Sequence, residues 1–134
     1  MKIKDLTKAE EQVMQILWNI GKCFVKDVVE QFAYPKPAYN TVSTIIRILE
    51  KKGMVGHKNY GKTHEYFPLI DKNSYRKFYL ENFMNNYFSG SFQSLVSFFA
   101  KEKNISVMEM EELVRAVEEE INKKKNESRD PLLP

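Results

Sequence analysis

Residues 40–53 read Asn40-Thr41-Val42-Ser43-Thr44-Ile45-Ile46-Arg47-Ile48-Leu49-Glu50-Lys51-Lys52-Gly53, and this stretch decides the fold. Val42, Ile45, Ile46 and Leu49 recur at i, i+3, i+4 and i+7, which sets four branched aliphatics on one stripe of a helix. At about 100° per residue, Thr44, Arg47 and Lys51 fall on the opposite stripe. One face is built to bury and the other carries hydroxyls and cations. Gly53 stops the helix where a left-handed residue is wanted. Beyond it the pattern alternates as two strands do, over 55–59 and 63–67, with Tyr60-Gly61-Lys62 as the turn.

Upstream, Thr7-Lys8-Ala9-Glu10 has the spacing of a capping box. Ala9, Val13, Ile16, Leu17 and Ile20 mark the inner face of a first helix, and Gly21 ends it. Cys23-Phe24-Val25 reads as a β-prone link, and 27–32 as a second, shorter helix with Val28, Val29 and Phe32 inward. Tyr34-Pro35-Lys36-Pro37 is a turn, since each proline biases its predecessor away from helix. Asn40 is the expected cap of the 40–52 helix. Two short helices joined by a tight turn, the second polar outside and followed by a hairpin, have the layout of a winged helix-turn-helix DNA reader.

After Pro68 the character changes. Residues 72–88 read as helix with Tyr75, Phe78, Tyr79, Phe83 and Tyr87, interrupted by Gly90. Phe92, Leu95, Val96 and Phe99 form another apolar stripe. Ser106 to Glu109 has capping-box spacing, with Ile105 and Met110 placed as a hydrophobic staple. The last helix is expected to reach about Lys125, with Met110, Leu113, Val114, Val117 and Ile121 on its apolar face and residues 126–134 fraying. Nine of the 17 aromatics lie between Tyr75 and Phe99, more apolar surface than three such helices cover by themselves. A second copy is the expected cover, through Tyr79, Phe83, Phe92, Leu95, Val96, Phe99, Leu113 and Val117. Folding back of these aromatics onto the N-terminal half is the alternative.

The fold class is therefore mainly α with a small β wing (α+β). The expected organisation is a winged-helix DNA-binding domain over 1–70, a helical dimerisation domain over 71–125 and a disordered tail over 126–134. With 134 residues the chain holds one domain, or a small domain and an appendage. The net charge of +3 is unevenly spread: residues 1–70 carry 11 Lys/Arg against 7 Asp/Glu, residues 71–134 carry 10 against 11. Residues 36–62 alone hold six Lys/Arg and one acid, a local cationic surface of the kind an anionic backbone requires. A single cysteine, Cys23, excludes an internal disulfide and fits a reducing cytosol. No apolar signal core or membrane-length apolar run is present, so a cytoplasmic protein that is not membrane-embedded is expected. No nucleophile elbow, phosphate loop or metal-protease motif points to an enzyme, and no cofactor or small-molecule substrate is expected.

Thr41, Ser43, Thr44 and Arg47 are the expected readers: hydroxyls contact phosphate or base edges, and arginine takes guanine bidentately. Asn40 joins them at the helix start. Lys51, Lys58 and Lys62 are placed to neutralise phosphates, and Tyr60 with Lys62 tips the wing toward the minor groove or backbone. His57 and His64 are spaced to face each other across the wing; with Cys23 as the third soft ligand they do not make the convergent set that zinc wants, so no metal is expected. Trp18 is read as core.

The chain resembles the penicillinase-repressor family of BlaI/MecI/CopY type. The matching pieces are 7–18 (Thr7-Lys8-Ala9-Glu10 through Trp18), Asn40-Thr41-Val42-Ser43-Thr44 to Lys51-Lys52-Gly53, Gly61-Lys62-Thr63-His64-Glu65-Tyr66-Phe67-Pro68-Leu69, and Gly90-Ser91-Phe92-Gln93-Ser94-Leu95-Val96. The resemblance spans nearly all of 5–125. It implies a bacterial transcriptional repressor that binds palindromic operator DNA as a homodimer. It also implies relief of repression by proteolysis under a membrane-bound sensor protease or its downstream protease. The family often has a basic residue where Ser43 stands and arginine where Ile48 stands; here the cation is Arg47. At the family's cleavage position, where Asn-Phe is typical, the aligned bond is Phe98-Phe99. The cysteine pairs of the copper-responsive branch are absent. The alternative function is a winged-helix protein-interaction module, a subunit of a larger complex without sequence-specific DNA binding.

Overall fold

The computed structural model describes residues 3–102 and 105–128. Among these, six helices and one two-stranded antiparallel sheet follow in the order α1 (Lys8–Ile20), α2 (Val25–Gln31), α3 (Tyr39–Lys51), β1 (Val55–Tyr60), β2 (Thr63–Pro68), α4 (Lys72–Phe88), α5 (Phe92–Lys101) and α6 (Val107–Glu127). The chain divides into two compact units, Met1–Phe83 and Met84–Pro134.

In the first unit, α1 starts on the expected capping box. The Thr7 hydroxyl accepts from the Glu10 amide, and the Glu10 carboxylate accepts from the Thr7 amide, each at 3.2 Å. Gly21 closes the helix at φ 90°. Ala9 and Ile20, expected inward, are exposed, because they lie at the edges of the stripe that Val13, Met14 and Leu17 bury completely. The second helix begins two residues earlier than expected. Asp27 sits in its first turn and its carboxylate accepts from the Phe24 amide at 2.9 Å, so Phe24 is the cap. Likewise α3 begins at Tyr39 with Ala38 as its cap; the Val42 amide donates to the Ala38 carbonyl, which puts Asn40 inside the helix and not at its cap.

Val42, Ile46 and Leu49 are fully buried against Val13, Met14, Leu17, Val28, Met54 and Val55, while Ile45 is half-buried at the rim. Each such side chain contributes about 1.5–3 kcal/mol of burial free energy, and this core fixes where the outer face of α3 points. Gly53, at φ 78°, turns the chain from α3 into the hairpin. The two strands pair from Val55↔Pro68 to Tyr60↔Thr63, leaving Gly61 and Lys62 as a two-residue turn with Gly61 at φ 60°. The β-prone link is a single antiparallel bridge, Cys23↔Tyr66, which clamps the start of α2 to the wing. Chain beyond the wing is held by the Trp18 indole, which donates to the Ile70 carbonyl at 2.9 Å and packs 5.7 Å from the Tyr75 ring. Tyr75 is buried, and its hydroxyl donates to Glu11 at 2.9 Å. Tyr75 and Phe78 at the start of α4 thus pack with the core of the first unit.

In the second unit, Ser89 and Gly90 turn the chain with positive φ, and Ser91 caps α5 by accepting from the Ser94 amide. Ser106 caps α6 through the Glu109 amide, the forward half of the expected box. Asn126 and Glu127 continue α6, and the rest of the expected tail beyond Ser128 lies outside the described residues. Neither α5 nor α6 buries a residue: Phe92, Val96, Phe98, Phe99, Leu113, Val114, Val117 and Ile121 are all exposed in the single chain.

Candidate nucleic-acid interface

Because the core holds Val42, Ile46 and Leu49, the outer surface of α3 presents Asn40, Thr41, Thr44, Arg47 and Lys51 to solvent. The Thr44 hydroxyl donates to the Asn40 carbonyl at 2.9 Å, and the residue stays exposed. Ser43 is different. It is 7% exposed, and its hydroxyl accepts from the Arg47 guanidinium at 3.1 Å. Ser43, expected among the readers beside Thr44, thus holds the arginine one turn along.

Between α3 and the wing lies an open concavity of about 710 Å³. From α3 it takes Asn40, Ser43, Arg47 and Glu50; from the wing it takes His57, Lys62, Thr63, His64 and Tyr66. Thr41, Thr44 and Lys51 stand outside it on the exposed helix surface, and Lys58 and Tyr60 lie on the wing away from it. Lys58 holds its ammonium 5.4 Å from the Tyr60 ring, and Tyr60 meets Phe24 edge-on at 6.2 Å, so the wing tip is braced against the start of α2. The structure therefore brings Asn40, Ser43 and Arg47 of α3 together with Lys62 of the wing in one concavity, and leaves Thr41, Thr44 and Lys51 exposed on the helix outside it.

Several lining residues were not anticipated. Lys26 reaches the concavity from α2 and Tyr39 from the first turn of α3. Lys36 is occupied differently: its ammonium donates to the Glu30 and Phe32 carbonyls, closing the end of α2, and lies 5.0 Å from the exposed Tyr34 ring. Neither Tyr39 nor Lys26 carries a signal in the sequence that sets it apart from an ordinary surface residue; the tertiary fold brings both to the concavity. His57 and His64 do face each other, 4.3 Å between ring centroids and nearly perpendicular, as diagonal neighbours on one face of the hairpin. The His57 Nδ1 contacts the Glu50 carboxylate. Among the described residues no three His, Cys, Asp or Glu side chains converge as a metal would need. Below the rings, burial together with the Glu50 charge pushes the Tyr66 phenol up, partly opposed by Arg47.

The sequence pattern of the penicillinase repressor family matches residues 6–119. The chain is 29% identical over 125 residues to the penicillinase repressor of Bacillus licheniformis, covering 92% of this chain and 98% of that protein. It is 30% identical over 113 residues to the methicillin resistance regulatory protein MecI of Staphylococcus aureus (strain N315), covering 84% of this chain and 92% of MecI. Among solved structures, the monomeric form of Bacillus licheniformis BlaI in complex with the blaP half-operator matches 55% of this chain and 92% of that one, at 28% identity and a TM-score of 0.46. Among the described residues, no helix is long and apolar enough to cross a membrane.

Proposed function

This chain belongs to the penicillinase repressor family, and from that premise we propose that it is a bacterial transcriptional repressor that binds palindromic operator DNA as a homodimer in the cytoplasm. It acts by binding and not as an enzyme. The observation that carries the reading is the solvent face of α3, where Thr44, Arg47 and Lys51 stand together beside a cation-lined wing. A helix of this size fits a major groove, and a hydroxyl and a guanidinium are the groups that read base edges there. Thr41, Thr44 and Arg47 read bases in this proposal, Ser43 holds Arg47, and Asn40 lines the entry. Lys51, Lys58 and Lys62 neutralise phosphates, with Tyr60 bracing the wing tip.

The DNA-binding function is assigned to residues 1–70 and the dimerising function to 71–125. The unpaired apolar faces of α5 and α6 support that assignment, because exposed stripes of this extent mark interfaces. Relief of repression is assigned to cleavage at Phe98-Phe99 by a sensor protease or its downstream partner.

Titration of the protein with duplexes from its own promoter and with random duplex, at two salt concentrations, tests the reading. Thr44→Ala or Arg47→Ala should weaken the promoter complex by about 1–3 kcal/mol and leave random DNA nearly unaffected. Lys58→Ala or Lys62→Ala should weaken both and lower the salt slope by about one for each phosphate contact removed. Equal losses on both duplexes for both kinds of variant would reject the reader assignment. Equal affinity of the native chain for both duplexes would favour an interaction module instead.

A further inference from the structure

The concavity between α3 and the wing contains a feature that phosphate binding by itself does not call for. Glu50 is the one carboxylate among the residues lining it, set among Lys26, Arg47 and Lys62. An unpaired carboxylate there opposes every phosphate that approaches. Its partner is not a lysine or arginine, which would cancel it permanently, but the His57 imidazole. The chain has only two histidines, and both sit here with their rings 4.3 Å apart. Both Glu50 and His57 are about one-third exposed on their side chains, open enough to exchange protons with solvent.

We propose that Glu50 and His57 form a proton-dependent clasp between α3 and the wing, which sets the charge of the groove and makes DNA affinity rise as pH falls through the imidazole range. The inference rests on the DNA-binding reading above. Imidazole changes charge between about pH 5 and 8, and no other side-chain type does so without a perturbing environment. With His57 protonated, the pair is neutral overall and the carboxylate is held by the wing. With His57 neutral, Glu50 leaves a full negative charge facing the duplex.

The charged and titratable groups around His57 are Glu50 and Arg47 from α3, Lys62 from the wing turn and Lys26 from α2. Beside it on β2 stand His64 and the neutral Tyr66 phenol, the latter 5.8 Å away. Incoming phosphates add negative charge on the open side of the same groove, which a protonated imidazole attracts. DNA binding and proton uptake at His57 are therefore linked with one sign: each favours the other.

The test is the affinity of the full chain for a fixed random-sequence duplex at about pH 6 and about pH 8 and constant ionic strength. One charge at contact distance, screened by water, corresponds to about a fivefold change for each groove, so the native chain should bind at least that much more tightly at the lower pH. Glu50→Gln should raise affinity at the higher pH to near the native low-pH value. His57→Gln should hold affinity near the weak, high-pH level and lose most of the dependence, leaving only what His64 contributes. At the higher pH the double variant should bind as tightly as Glu50→Gln, which a purely structural role for His57 would not produce. A native chain that binds equally at both pH values, or a His57→Gln variant that keeps the native slope, would overturn the clasp and leave the DNA-binding reading intact. No binding to DNA at either pH would overturn both.

Discussion

Arg47 and Ser43 show how one residue acquires its role from another. Ser43 follows Val42 by 100° around α3, which places it at the border between buried and open faces. Which side of that border it falls on depends on the tertiary packing around α3, which helical periodicity does not encode. Thr44, Arg47 and Lys51 lie well clear of the border, and their exposure was legible in the spacing alone. Removing the Ser43 hydroxyl frees the guanidinium to sample other rotamers while leaving no buried group unsatisfied, because Arg47 is exposed to water. Ser43→Ala should thus reduce discrimination between promoter and random duplex by up to about 1 kcal/mol with a melting temperature close to native, measured by paired binding and thermal titrations. Cys23 makes the opposite kind of residue prediction. Burial, with Asp27 and Glu65 nearby, pushes its thiol up to about 11, so almost no thiolate exists at neutral pH. Iodoacetamide should leave it unmodified in native protein and alkylate it promptly in denaturant; rapid native labelling read by mass spectrometry would contradict its burial.

At the scale of elements, the first unit is tied together by contacts between segments distant in sequence. Lys52, just past the end of α3, donates to the Glu10 carboxylate on α1 and to the Asp5 carbonyl. Burial raises the Glu10 carboxyl, but the Lys52 ammonium and the Thr7 groups outweigh it and hold the carboxyl below its ordinary value. A carboxyl lowered by folding adds stability that is fully present above its unfolded pKa and is lost as pH falls through the folded one. Lys52→Met should therefore destabilise by about 1–3 kcal/mol at neutral pH, and the deficit should shrink in acid as Glu10 protonates. Melting curves across pH 2–7 check this (roughly the carboxylate range and above it), and a deficit constant with pH would refute it. None of this pairing was visible in sequence, where Lys52 read as one more surface cation. The elements themselves were legible: the Thr7 box, the α4 span and the hairpin each carry local signals. The start of α2 was misplaced because Asp27 caps from within the first turn, and Asn40 looked like a cap only because the polar residue expected there stands inside the helix. Tyr75 and Phe78 were not assignable from spacing, since an aromatic stripe states that a face is buried but not against what.

For the whole molecule, the proposed function makes affinity depend on holding two reading helices together. Each copy of the proposed dimer occupies one half-site, and linkage converts the second binding event into an intramolecular one worth about 10²- to 10⁴-fold. The surfaces available for that linkage are the apolar stripes of α5 and α6, with Phe92 and Phe99 on one and Leu113 and Val117 on the other, all about half exposed in the single chain. Tyr79 on α4 is exposed as well, while Phe83 and Leu95 are half-buried. Phe98 packs edge-on against Phe88 at 5.8 Å and Phe99 follows on the next face, so a cut between them severs α5 in the middle of its apolar run. The two fragments then lose the continuous helix that presents the stripe, and the groove-reading surface of α3 stays untouched. Leu113→Asp should reproduce the same state without cleavage. It should sediment as a monomer at micromolar concentration, bind a full palindrome two or more orders of magnitude more weakly than the native chain, and bind an isolated half-site equally well. If the variant remains dimeric, or if half-site affinity falls alongside the palindrome, the interface lies elsewhere. Mass spectrometry of the native protein recovered from induced cells completes the argument: fragments ending at Phe98 are expected, and an intact chain on derepressed promoters would rule out cleavage as the release step.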